Sequence, residues 1–140
     1  MGEGSFNISI LSPARTFLEK LLFIHETLGG FNKGSERKSR HYYNLLKLYR
    51  AGVFDRIRDN RELLQMVVEP RQTFFRYNTL DYAGILKNGV QVVPPKESWA
   101  DWRSDYSRTT VMIYNDISSF EDLMQFAAQL EKEFNEWVSN

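Results

Sequence analysis

Cysteine is missing altogether from these 140 residues. That one absence excludes disulfides, thiolate zinc sites and a cysteine nucleophile. Proline occurs four times and glycine eight, and neither joins serine in a linker that would divide the chain. No apolar run approaches the ~20 residues that a membrane-spanning helix needs. Met1 to Ser5 are small and polar with no basic or apolar stretch behind them, so no signal peptide is expected and the expected location is cytoplasmic. Net charge is also missing, since 18 Lys and Arg offset 18 Asp and Glu. GxSxG, the P-loop, GxGxxG and HExxH are all absent, and His25 and His41 share no metal-ligand spacing. What is there is core material. Hydrophobic residues make up 42% of the chain and aromatic ones 14%, at a mean hydropathy of -0.46, which predicts one globular domain over residues 1–140.

The zero balance hides an asymmetry. Between residues 33 and 61, nine cations (Lys33, Arg37, Lys38, Arg40, Lys47, Arg50, Arg56, Arg58, Arg61) stand against three anions (Glu36, Asp55, Asp59), a local charge of +6. From Asp116 onward six acids face Lys132 alone, a balance of -5. A basic face of this kind suits phosphates or an acidic partner, although on charge alone a solvated helical surface of both signs accounts for it more simply.

The fold class read from periodicity is mainly α, about five helices in a compact bundle with one or two short strands. Phe6, Ile8 and Ile10 alternate with polar residues and suggest a strand. Ser12 and Pro13 open a first helix that runs to Leu28 and stops at Gly29-Gly30. A second helix spans about Arg37 to Ala51, with Gly52 as its stop. Val53 to Arg58 reads as a turn or helical link. Asp59 and Glu62 form a capping box for a third helix, which Pro70 should kink or end. Val90 to Val93 invites a second strand. A fourth helix is expected from Lys96 to Tyr114, with Trp99, Trp102 and Tyr106 on one side in core spacing. Ser119 caps the last helix, in which Phe120, Leu123, Met124, Ala127, Leu130, Phe134 and Trp137 repeat at three and four.

One residue is out of place in this pattern. Phe17, Leu18, Leu21, Leu22, Phe23 and Ile24 wrap nearly the whole first helix, yet Lys20 lies among them. Such a lysine must snorkel, pair across the fold or serve a site, and no acid stands three or four residues away. Arg15 and Glu19 can pair on the surface. On the second helix Tyr42, Leu45, Leu46 and Tyr49 form the buried stripe, which points Arg40, Asn44 and Lys47 away from the core. His41 flanks that stripe as a packing residue. Asp101 and Asp105, one turn apart, read as the wet face of their helix.

Two segments carry a family resemblance. Ser12-Pro13-Ala14-Arg15-Thr16-Phe17-Leu18-Glu19-Lys20-Leu21-Leu22, followed by Ile24-His25-Glu26, resembles the P-x-R-T-F-x-E-K-L…H signature of AbiEii/AbiGii-type nucleotidyltransferase toxins. Some twenty residues on, Ser39-Arg40-His41-Tyr42-Tyr43-Asn44-Leu45 is similar to that family's S-R-H-Y-Y-D-L motif. Phe74-Phe75 and the last helix also fit the C-terminal part of such proteins. The resemblance implies a type IV toxin–antitoxin, abortive-infection protein of the polymerase-β type, which passes a nucleotide from an NTP to an RNA (tRNA) or protein acceptor with Mg²⁺. It assigns Lys20 and Asn44, the latter at the family's aspartate position, to catalysis, with Arg15, Arg37, Lys38 and Arg40 binding substrate.

Two departures qualify those roles. Asn44 has no charge with which to attract a metal. The family's Gly-Ser turn followed by Asp-x-Asp is missing, because no Asp-x-Asp tripeptide occurs in the chain. The expectation is therefore the helical portion of a toxin, with no metal site of its own, inactive alone and completed by a missing N-terminal half. An antitoxin and tRNA are further candidate partners. A face built to cover another lobe should expose apolar area and favour a homodimer. The competing reading is a non-catalytic module that docks an acidic protein or RNA through residues 37–61.

Overall fold

The computed structural model describes residues 12–29, 39–74, 82–110 and 119–139. The expected strand at Phe6 to Ile10, and the residues Arg37, Lys38 and Phe75, lie outside them. Seven α-helices follow in order: α1 (Pro13–Leu28), α2 (Arg40–Arg50), α3 (Val53–Arg58), α4 (Arg61–Phe74), α5 (Tyr82–Asn88), α6 (Trp99–Thr110) and α7 (Phe120–Ser139), with a 3₁₀ turn at Lys96–Ser98 ahead of α6.

The first helix is central, as its apolar circumference demands. Phe17, Leu18, Leu21 and Leu22 are fully buried, and α1 packs on α2, α3 and α4. Burying each such side chain contributes about 1.5–3 kcal/mol. The serine hydroxyl of Ser12 accepts the Arg15 amide at 3.4 Å with Pro13 at the first helical position, so the local start signal operates as read. At the other end the Gly29 amide closes on the His25 carbonyl.

The link at Val53 to Arg58 proves to be a true helix. Gly52 adopts φ 84° between α2 and α3, a left-handed turn that favours glycine. The reversal delivers Phe54 into an aromatic cluster: its ring lies 6.0 Å from Phe17, 6.1 Å from Phe134 and 6.1 Å from Trp137. The last helix presents the expected stripe, with Asp122 donating its amide to the Ser119 hydroxyl at 3.0 Å. Trp102 and Tyr106 are buried core, as their spacing predicts.

Three local expectations fail, each for a physical reason. Asp59 caps the end of α3 instead of opening a capping box, and the Leu63 amide turns back to the Asn60 carbonyl. Pro70 does not end α4, which runs on to Phe74. The proline lies on the exposed face with Met66 and Glu69, where the carbonyl it orphans is open to water. The exposed face of α4 therefore tolerates what a core position would not.

The strand expected at Val90 to Val93 has no partner strand, and no strand occurs among the described residues. Side chains replace the ladder. Asn135 accepts the Val90 amide at 2.7 Å and donates to its carbonyl at 2.9 Å. Glu131 accepts from Val92 and Val93, and the Gln91 amide donates to His25 Nδ1 at 2.9 Å. Tyr42 donates its hydroxyl to the Val92 carbonyl at 2.6 Å. Buried backbone groups must be paired, and here α1, α2 and α7 supply the partners. Gly89, at φ 94°, sits so close to Asn135 that any Cβ would collide with it.

Candidate functional site

The two segments that carry the family resemblance meet in space. Packing of α1 on α2 brings Lys20 Nζ to 3.5 Å from His41 Nδ1. In the tautomer that leaves Nδ1 bare, that nitrogen accepts from the Lys20 ammonium, which can only donate. The imidazole is held edge-on against Phe23 at 4.9 Å. Lys20 is half-buried, and its pKa is lowered by desolvation first and by the nearby Arg40 charge second. No carboxylate offsets that cost, since Lys20 has no ion pair among the described residues. Arg40 is exposed, and Asn44, one turn further along the same face of α2, is half-buried. Neither makes a side-chain hydrogen bond or ion pair among the described residues.

His41 is thus more than the packing residue its spacing suggests: it is the group that faces Lys20. Arg15 is drawn elsewhere. Its guanidinium pairs with Glu19 at 3.0 Å, the surface contact that the i,i+4 spacing predicts. The basic segment is also thinned by the fold. Arg58 is shared between Asp55 and Glu133 at 3.2 Å each. Arg61 donates to the Trp137 carbonyl at 3.0 Å and to the Val138 carbonyl, closing the end of α7, whose last turn has no basic residue of its own. Arg40, Lys47 and Arg56 remain as exposed cations without an ion pair among the described residues.

Asp105 corrects the sequence reading most sharply. It is 1% exposed, not on a wet face, and its Oδ2 accepts the Ser39 amide at 3.0 Å and the Ser39 hydroxyl at 2.5 Å. No pattern within α6 could have shown this, because the partner lies 66 residues away. A groove of about 310 Å³ between α2 and α7 is lined by Tyr49, Arg50, Gln125 and Phe126, with neither Lys20 nor Asn44 in it.

Among the described residues no group of three or more His, Asp or Glu could hold a metal. Those residues do not fit a magnesium site. An exposed apolar face for a dimer is likewise not what they form: Met66, at 46% exposure, stands alone among their large apolar side chains. No helix among them is long and apolar enough to cross a membrane.

Compared with known proteins, residues 1–135 match the family model described as nucleotidyl transferase AbiEii toxin, type IV TA system. No curated protein and no solved structure matches the chain.

Proposed function

This chain belongs to the AbiEii nucleotidyl transferase toxin family of type IV toxin–antitoxin systems, and on that premise we propose that it supplies the triphosphate-facing helical wall of a nucleotidyltransferase site. Membership gives the activity class, nucleotidyl transfer by a toxin, and implies an antitoxin partner. The observation that carries the finer reading is Lys20, a half-buried cation that faces the His41 imidazole and the Arg40 charge with no ion pair among the described residues. A fold gains nothing from holding a half-buried cation beside a second, exposed one. A polyanion entering the seam between α1 and α2 gains a great deal.

In the proposed reaction an acceptor hydroxyl attacks the α-phosphate of an NTP. The new O–P bond forms as the bond to the β-phosphate oxygen breaks, pyrophosphate leaves, and the hydroxyl's proton passes to water. The Lys20 ammonium offsets the charge that develops on the departing phosphates, and His41 holds it in place. Arg40 binds phosphate at the rim. Asn44 donates from its amide but neither takes a proton nor attracts a cation. The Asp-x-Asp pair that the chemistry needs is absent from these residues, so a second lobe brings it, together with Mg²⁺, and tRNA is the proposed acceptor.

The experiment mixes the purified chain with a separately expressed lobe bearing Gly-Ser…Asp-x-Asp and follows α-labelled NTP transfer to tRNA. Transfer should need both pieces, and Lys20→Ala should lower it by about 100-fold or more, the scale of one lost charge-stabilising contact. No binding and no transfer, with Asn44→Asp also silent, overturns the reading.

Arg40, Lys47 and Arg56, exposed without ion pairs among the described residues, favour a second use, docking of an acidic antitoxin. Neutralising all three should then flatten the salt dependence of association while Lys20→Ala leaves it intact.

A further inference from the structure

Asp105 is a buried carboxylate that the proposed reaction does not use. It sits on α6, and its two hydrogen bonds from Ser39 fall at the residue that starts α2. Ser39 is itself fully buried, and its hydroxyl makes no cap within its own helix. The capping anion of α2 therefore comes from another helix. A carboxylate accepting from the first turn satisfies an orphan amide and complements the positive end of the helix.

A second contact fixes the rotation. Trp102, one turn before Asp105 on α6, meets Tyr42 edge-on at 5.4 Å, and Tyr42 lies one turn after Ser39. Two residues spaced i,i+3 on α6 thus grip two spaced i,i+3 on α2. Arg40 and His41 lie between the gripped positions, and a helix held at Ser39 and Tyr42 has no freedom left to turn them. His41 then meets Lys20 at 3.5 Å.

We propose that Asp105 is a positioning residue for the anion seam: through Ser39 it sets the register of α2 and so holds His41 and Arg40 against Lys20. The inference rests on the reading of Lys20 given above, but it can fail separately from that reading. Asp105 touches no substrate in this scheme. It acts through Ser39 and the first turn of α2, while its other oxygen, Oδ1, faces the exposed Arg108 guanidinium at 3.5 Å.

The test uses the whole 140-residue chain and two readouts. One is binding of inorganic tripolyphosphate by calorimetry. The other is titration of Lys20 followed at its labelled Cε, which needs no ligand. Asp105→Ala should weaken tripolyphosphate binding about tenfold, the scale of a lost charge-assisted hydrogen bond, and should return the Lys20 titration toward that of a solvated lysine. Asp105→Asn, which keeps the shape and one acceptor, should do less. Ser39→Ala should reproduce much of the effect, and the Ser39→Ala/Asp105→Ala pair should be non-additive because the two share the hydroxyl contact.

If Asp105→Ala cannot be folded, Asp105→Asn and Ser39→Ala decide the matter. Unchanged Lys20 titration and unchanged binding in variants that merely melt earlier, as an Arg61→Ala control would, overturn the proposal. Tripolyphosphate binding that is absent in the parent chain, or indifferent to Lys20→Ala, defeats the reading of Lys20, while the Lys20 titration in the Asp105 variants still decides the positioning role.

Discussion

Two charges stand six positions apart on α1 and have opposite fates. Glu26, 1% exposed, receives Arg71 through two hydrogen bonds, 2.6 Å from Nε and 2.9 Å from the terminal nitrogen. That is a bidentate pair whose geometry offsets the cost of desolvating both ions. Lys20 has a long, weak contact to the His41 ring and a like charge nearby. One end of the helix spends its buried charge on its own structure. The other keeps a cation that the fold does not neutralise, and this contrast marks the Lys20 end as the one that meets something else.

The comparison can be broken most severely at its structural end. Arg71→Ala strands a buried carboxylate, and urea unfolding should show a loss of about 3 kcal/mol, the low end for a broken buried pair because water partly reaches Arg71. The same unfolding experiment on Lys20→Ala should give a change within about 0.5 kcal/mol of zero, or a gain. Its effect belongs in the transfer assay. Should Lys20→Ala prove as destabilising as Arg71→Ala, the two ends are alike and the functional assignment of Lys20 falls.

Acid sharpens the picture at a third group on the same helix. Burial lowers the His25 pKa, against weaker opposing pulls from Glu26 and Glu131. A lowered folded value means that the unfolded chain binds the proton better. The stability His25 contributes is therefore present above its unfolded pKa of about 6.5 and is lost as pH falls below it. Loss of the Gln91 contact should accompany it, and a pH series of melting temperatures should flatten in His25→Asn.

Lys20 works in the alkaline range by the same sign. Its lowered pKa makes stability rise as pH climbs from the folded value toward the unfolded ~10.4, and Lys20→Met should remove that rise. Asn44→Asp gives the smallest change. A carboxylate one turn from Arg40 adds a few tenths of a kcal/mol at most, and it should raise the Lys20 pKa in the same Cε titration.

Much of this was legible in the order of residues. Ser12, Pro13 and Gly29 bracket α1, Ser119 opens α7, and the three-and-four repeats name the buried faces, because caps and amphipathic stripes are local devices. The motif residues Lys20, Arg40 and Asn44 could also be picked out, Lys20 because it interrupts an apolar circumference. Pro70 misled because its effect depends on which way its face points. Val90 to Val93 misled because four adjacent residues can announce an extended segment but not who will bond to it.

The sequence by itself therefore determined the helices, the centrality of α1 and the presence of a cation within it, since each follows from side chains within one or two turns of each other. Only the tertiary structure decided that Glu26 finds Arg71, that Lys20 finds His41, and that Asp105 leaves the surface to hold Ser39. Pairing energies of that kind depend on distances between residues 21 to 66 positions apart in the chain, and no periodicity encodes them.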